Sequence, residues 1–133
     1  MFKKTVYVTE ENATVKPKAS GTAVVFGELL KFDAASALLI PAIAADTALE
    51  YVSASVISIT DALTSVLVLP VRKGDRFVAD VTNNSNSAHN EQKMVLTDSK
   101  VVNNTGTNAV AGVVRQVGVV GVAADKKIIV EVI

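Results

Sequence analysis

His89 is the only histidine in this 133-residue chain, and there is no cysteine. Imidazole is the side chain that ionises near neutral pH, so His89 is the first candidate for proton transfer or metal ligation. Metal binding would also need carboxylates, the nearest in sequence being Glu91. His89 stands in the polar run Asn83–Asn90, where a solvated loop histidine is the expected role. Without thiols there is no disulfide framework, no thiolate zinc site and no cysteine nucleophile. Serines are plentiful, but a Ser-His-Asp arrangement would have to be built on one histidine in a loop. Asp75 and Asp80 are the carboxylates nearest to a general acid–base pair. They sit at a turn and at a strand end, where Asp is ordinary, and nothing in the sequence gives either one a raised pKa. Gly118-Val-Val-Gly121 lies in a β pattern with no helix after it, so it makes no phosphate cradle. The expectation is a protein that is not an enzyme, with no cofactor and no bound metal.

Two short motifs have local explanations. Lys73-Gly-Asp75 is like the adhesive tripeptides that bind cell-surface receptors, but a glycine turn between two strands accounts for it. Asn12-Ala-Thr14, Asn83-Asn-Ser85 and Asn103-Asn-Thr105 match glycosylation acceptors, and they equally suit loops, where Asn tolerates left-handed backbone.

The elements that would position these residues read as strands. Half the chain is hydrophobic, with 24 Val and 18 Ala but only six Phe and Tyr together and no Trp. Residues 65–71 and 76–82 follow strand patterns around the Lys73-Gly-Asp75 turn, which reads as a hairpin signal. Residues 50–60 alternate, with one helical turn expected over residues 61–64. Residues 22–32 form a strand pattern interrupted at Gly27, where a bulge, bend or tight turn is expected. Residues 33–48 are Ala-rich but cut by Pro41, so loop and short strand are expected there. Lys93–Thr97 and Lys100–Val102 are short strand patterns. The C-terminus holds two long ones, 109–122 and 127–133, turning at Ala123–Lys126. Gly112, Gly118 and Gly121 should mark bends or close packing. No fixed-period repeat is present. Short, evenly spaced strands with turn signals indicate a mainly β domain, a barrel or a sandwich.

The first 20 residues read differently. Residues 3–9 alternate, but 10–20 carry Pro17 and little apolar content. The expected organisation is an extended N-terminal arm over 1–20 and a β-rich domain over 21–133. An ordinary first strand or a frayed terminus remains the alternative for the arm.

Charge narrows the partners. Thirteen basic and thirteen acidic side chains cancel, which argues against a binder that neutralises nucleic-acid phosphates. The longest uncharged stretches are broken by three Asn or by Pro41, so no membrane-spanning helix is expected. No apolar segment follows Lys3 and Lys4, so no signal peptide is expected. The apolar surplus at zero net charge hints at assembly.

The C-terminal half carries a family pattern. Lys73-Gly-Asp-Arg-Phe-Val-Ala-Asp80, Leu96-Thr-Asp98, Val102-Asn-Asn-Thr-Gly106 and Gln116-Val-Gly-Val-Val-Gly-Val-Ala-Ala-Asp-Lys-Lys-Ile-Ile-Val130 resemble the head decoration (capsid cement) proteins of tailed bacteriophages. Gly27-Glu-Leu-Leu-Lys-Phe-Asp33 fits the start of their folded part. The resemblance spans roughly residues 21–133 and rests on strand and turn patterns. It implies a small β-barrel or β-tulip-like domain on the outer surface of an icosahedral phage head. Such a protein stabilises the expanded head by bridging major capsid proteins, commonly as a trimer, with dimers and monomers also known. The chain would be made in the host cytoplasm and reside in the virion. The arm is the expected capsid contact, through Phe2, Val6, Tyr7 and Val8, with Lys3 and Lys4 meeting acidic groups on the shell. Two other roles compete. One is a different virion part, such as a head-fibre base, spike or tail-tube component. The other is a surface or glycan-binding β module, which the scarcity of aromatics disfavours.

Overall fold

The computed structural model describes residues 2–6, 13–17, 23–54, 65–105 and 112–133. The expected helical turn at 61–64 lies outside them. Among the described residues the chain is mainly β, in two sheets that pack as a sandwich without a closed barrel.

The strands among the described residues are β1 (Lys3–Val6), β2 (Thr14–Pro17), β3 (Leu29–Asp33), β4 (Leu38–Pro41), β5 (Tyr51–Ser53), β6 (Ser65–Pro70), β7 (Arg76–Val81), β8 (Lys93–Met94), β9 (Val101–Val102), β10 (Val114–Val120) and β11 (Lys127–Val132). One sheet runs β1-β7-β11-β10-β8, with β9 pairing parallel to β7 beyond the end of β1. The other runs β2-β6-β5-β3-β4, antiparallel throughout.

Strand patterning sets the core. In β7 the alternate residues Phe77, Ala79 and Val81 are buried, and in β11 Ile128, Val130 and Val132. They meet Leu29 and Val52 of the second sheet in the main apolar cluster. The opposite face of that second sheet has its own cluster of Val24, Leu30, Leu39, Val66 and Val68, with Tyr51 packed against it. A two-residue side-chain period explains how neighbours such as Leu29 and Leu30 serve different cores.

Several turns match their sequence signals. Gly27, Gly74 and Gly121 have positive φ, a conformation that suits glycine. Gly112 answers to close packing instead, because a Cβ there would lie 2.6 Å from the Met94 amide nitrogen. The β10–β11 pair is a true hairpin, turning through a 3₁₀ turn at Ala123–Asp125.

Other readings need correction. The Lys73-Gly-Asp75 turn does not close a hairpin: β6 and β7 belong to different sheets, and the turn carries the chain between them. Nor do the described residues of the first segment stand apart as an arm. Phe2 is 1% exposed in the main core, and its ring meets Phe77 edge-on with centroids 6.0 Å apart. Residues 3–6 are an edge strand on β7, and 14–17 an edge strand on β6. Over residues 3–6 the alternation is that of an ordinary first strand, the reading held open beside the arm, and residues 7–9 lie outside the described residues.

Candidate functional site

The expected contact residues divide once placed. Phe2 is core and Lys4 is tied inward. The Lys4 ammonium meets the Asp75 carboxylate at 2.6 Å and donates to the Pro70 carbonyl at 3.0 Å. The side chains of Lys4 and Asp75 are 3% and 0% exposed. Neither Phe2 nor Lys4 can meet a shell without unpacking the domain, which corrects these two as contact residues. Lys3 is exposed, and the backbone of Val6 pairs with Arg76. Tyr7 and Val8 lie outside the described residues.

The chemical candidates resolve similarly. Asp75 also accepts the Arg72 amide at 2.8 Å, which fixes the turn. An adhesive tripeptide must present its Asp, and this one is buried. Asp80 pairs with Lys127 at 2.6 Å on the outer face of the first sheet. The two carboxylates therefore serve separate ion pairs. His89 ends a 3₁₀ turn at Ser87–His89. The residue is half-buried in the Asn-rich loop, with Nδ1 enclosed. Among the described residues no group of three or more His, Asp or Glu could hold a metal ion.

The Asn-rich loops are knitted to each other. The buried Asn104 side chain accepts from the Asn83 amide at 2.8 Å and donates to the carbonyls of Asn83 and Asn84 at 3.2 Å. Asn86 accepts from the Ala88 amide at 2.9 Å, capping the 3₁₀ turn. These asparagines perform loop chemistry, as their composition suggested.

What the sequence did not reveal is a set of apolar side chains held outward by turns and strands with acidic ties. Phe26 is 44% exposed, in the turn before β3. Glu28 braces that turn by accepting the Val25 amide at 3.2 Å and the Ser99 hydroxyl at 2.6 Å. Ile43 is 52% exposed, in the loop after β4. Asp46 fixes it by accepting the Ile43 amide at 2.7 Å, and is itself paired to Lys31 at 2.7 Å. Phe32, on β3, is 50% exposed. The turn from β3 to β4 is organised by Asp33, which accepts the Ser36 hydroxyl at 2.8 Å and the Ala35 amide at 3.3 Å. The Ser36 bond, followed by the Ala35 amide, holds the Asp33 carboxyl below its ordinary value. That turn places Ala37 in the left-handed region at φ 58°.

Phe32 borders a half-open cleft of about 400 Å³, lined also by Lys16, Pro17, Ala37, Leu39 and Tyr51. It lies where β2 and β4, the two ends of the second sheet, approach each other without pairing, and β3 and β5 supply Phe32 and Tyr51. The Lys16 ammonium lies 5.8 Å from the centre of the Tyr51 ring, within cation–π range.

The opposite outer face carries charges paired across strands, beside apolar residues of which Val119 on β10 is exposed. Glu131 receives Arg76 at 3.0 Å and Arg115 at 2.6 Å, and Arg115 reaches Glu91 at 3.4 Å. The Arg76 hydrogen bond holds the Glu131 carboxyl below its usual range; burial opposes it, and the Arg115 charge adds a smaller pull downward. One sheet thus faces outward with paired charges, and the other is bordered by fixed apolar side chains.

Compared with known protein families, with curated proteins and with solved structures, the chain matches none.

Proposed function

We propose that this chain is a structural component of a phage particle, a head-decoration protein. It binds the outer surface of the icosahedral shell, bridges neighbouring major capsid proteins and assembles with copies of itself, commonly as a trimer. The resemblance over residues 21–133 motivates the family. The structural observation that carries the reading is the set of outward apolar residues Phe26, Phe32 and Ile43, braced by Glu28, by strand pairing and by Asp46. Large apolar side chains held rigidly in water serve contact, because a surface already ordered loses little entropy on docking. The docking surface is then the rim around the second sheet, while Phe2, just before β1, belongs to the core. Contacts of modest strength, repeated in an oligomer, give high avidity.

The test uses expanded heads from the phage that encodes the chain, prepared with its gene deleted. Purified protein should co-sediment with these heads at a saturating, fixed copy number and raise their resistance to heat and chaotrope. Heads that take up none of it would overturn the reading.

A further inference from the structure

The cleft between β2 and β4 has walls of Pro17, Phe32, Ala37 and Leu39, with Tyr51 beside them and Lys16 as its one charge. No carboxylate lines it, and among the described residues Lys16 makes no ion pair. Its volume, about 400 Å³, holds one large apolar side chain with room for the neighbouring backbone.

The two strand edges show how an occupant can enter. In β4, the Ala42 amide donates to the Leu29 carbonyl. Antiparallel alternation then turns Ile40 and Leu38 toward β3, and Leu39 and Pro41 outward. In the second sheet, the Ala54 amide donates to the Leu67 carbonyl. Leu67 therefore faces β5, while Val66 and Val68 face β2 and pair with Lys16 and Thr14. Val15 and Pro17 are left facing outward. Each open edge thus has a proline at a position whose amide would have pointed to a new strand, a device that blocks strand addition.

We infer that the cleft is a socket for an apolar side chain flanked by carboxylates, presented by a partner protein. Entry is by side chain, with the ring or branched chain against Tyr51, Phe32 and Leu39. The adjoining carboxylate meets Lys16, whose charge the Tyr51 face keeps at the rim. The inference deepens the contact reading above and rests on it, but its test needs no heads, so either can fail without the other.

The probe is Ac-Asp-Phe-Asp-NH2, titrated into the ¹⁵N-labelled full chain, with Ac-Asn-Phe-Asn-NH2 as the neutral control. Amide shifts at Lys16, Leu39 and Tyr51 should saturate, with the neutral peptide about three- to fivefold weaker, the range of an exposed ion pair. Lys16→Glu should reverse the preference toward Ac-Lys-Phe-Lys-NH2. Lys16→Gln, which keeps the stem and tests the same point if the charge reversal does not fold, should make the acidic and neutral peptides equal. Absence of saturable shifts at these residues overturns the inference. So does an acidic preference that survives Lys16→Gln.

Discussion

The buried Lys4–Asp75 pair offers the sharpest test of how the N-terminal segment belongs to the fold. Their charged atoms are 2.6 Å apart and their side chains are essentially inaccessible. At an effective dielectric constant of 20, that separation corresponds to an attraction of about 6 kcal/mol. Much of it offsets the cost of taking two ions out of water. The net value of the pair is therefore modest, while removing one partner strands the other. Lys4→Met keeps the side-chain stem but leaves Asp75 with a buried charge. Asp75→Asn keeps an oxygen for the Arg72 amide but removes the carboxylate charge that faces Lys4. Each should cost about 3–5 kcal/mol, a third or more of the stability usual for a domain of this size.

The double variant strands neither ion. It should lose about 1–3 kcal/mol, far below the sum of the singles, which the coupling of contacting residues leads one to expect. The assay is urea and thermal unfolding followed by far-UV circular dichroism, since the chain has no Trp. Each single variant should melt about 10–20 °C below wild type. Singles that cost under about 1 kcal/mol, or a double equal to their sum, would refute the buried pair. Such a result would return residues 3–6 to the status of a loosely attached arm.

Three further outcomes follow from named contacts. Phe2→Ala should destabilise by about 3–5 kcal/mol in the same unfolding assay, whereas an arm outside the core would lose almost nothing. Gly112→Ala would push a Cβ to 2.6 and 2.7 Å from the Met94 backbone nitrogen and oxygen, atoms that cannot swing away. It should cost about 1–3 kcal/mol, read as a lower urea midpoint. Glu131→Gln removes the shared acceptor of Arg76 and Arg115 and should cost about 1 kcal/mol or less near neutral pH, because the network is partly exposed. The native Glu131 pKa lies below its ordinary 4.5, so its stabilisation is complete above that value and is lost as pH falls through the native one. The gap between wild type and Glu131→Gln should close in acid below 4.5, and a gap unchanged down to about pH 2 would refute the ionic origin.

Legibility in the sequence followed how much each element buries. β7 and β11 bury every second residue, so their alternation is plain in the letters. β2 has only Lys16 half-buried among exposed neighbours, and an edge strand that covers so little leaves no pattern to read. The Lys73-Gly-Asp75 turn was visible as a turn, but its partners were not. A positive-φ glycine bends the chain equally well within a sheet or between two sheets, and long-range packing makes the choice. The cleft was hidden for a related reason. Lys16, Phe32 and Tyr51 are far apart in sequence and meet only through the order β2-β6-β5-β3-β4. Phe32 looked like one more apolar residue in a strand, and only its 50% exposure separates a surface ring from a core ring.

The zero net charge also acquires a structural meaning. On β7, β11 and β10 the charges sit opposite one another in register: Arg76 faces Glu131, Glu131 faces Arg115, and Lys127 faces Asp80. Cross-strand pairs of opposite sign support the sheet, and they leave little unpaired charge there to attract nucleic acid. They also make this face costly to cover, since a partner would have to desolvate a network of charges already paired with one another. The second sheet has the opposite economy. Its rim holds Phe26, Phe32 and Ile43 in water on braced backbone, and covering them releases apolar surface at small ordering cost. Any assembly built from this domain should therefore bury the rim of the second sheet and leave the ion-paired face of the first to solvent. In the decoration role proposed above, that orientation would set the β7-β11-β10 face outward and point the cleft of Lys16 and Tyr51 toward the partner or a neighbouring copy.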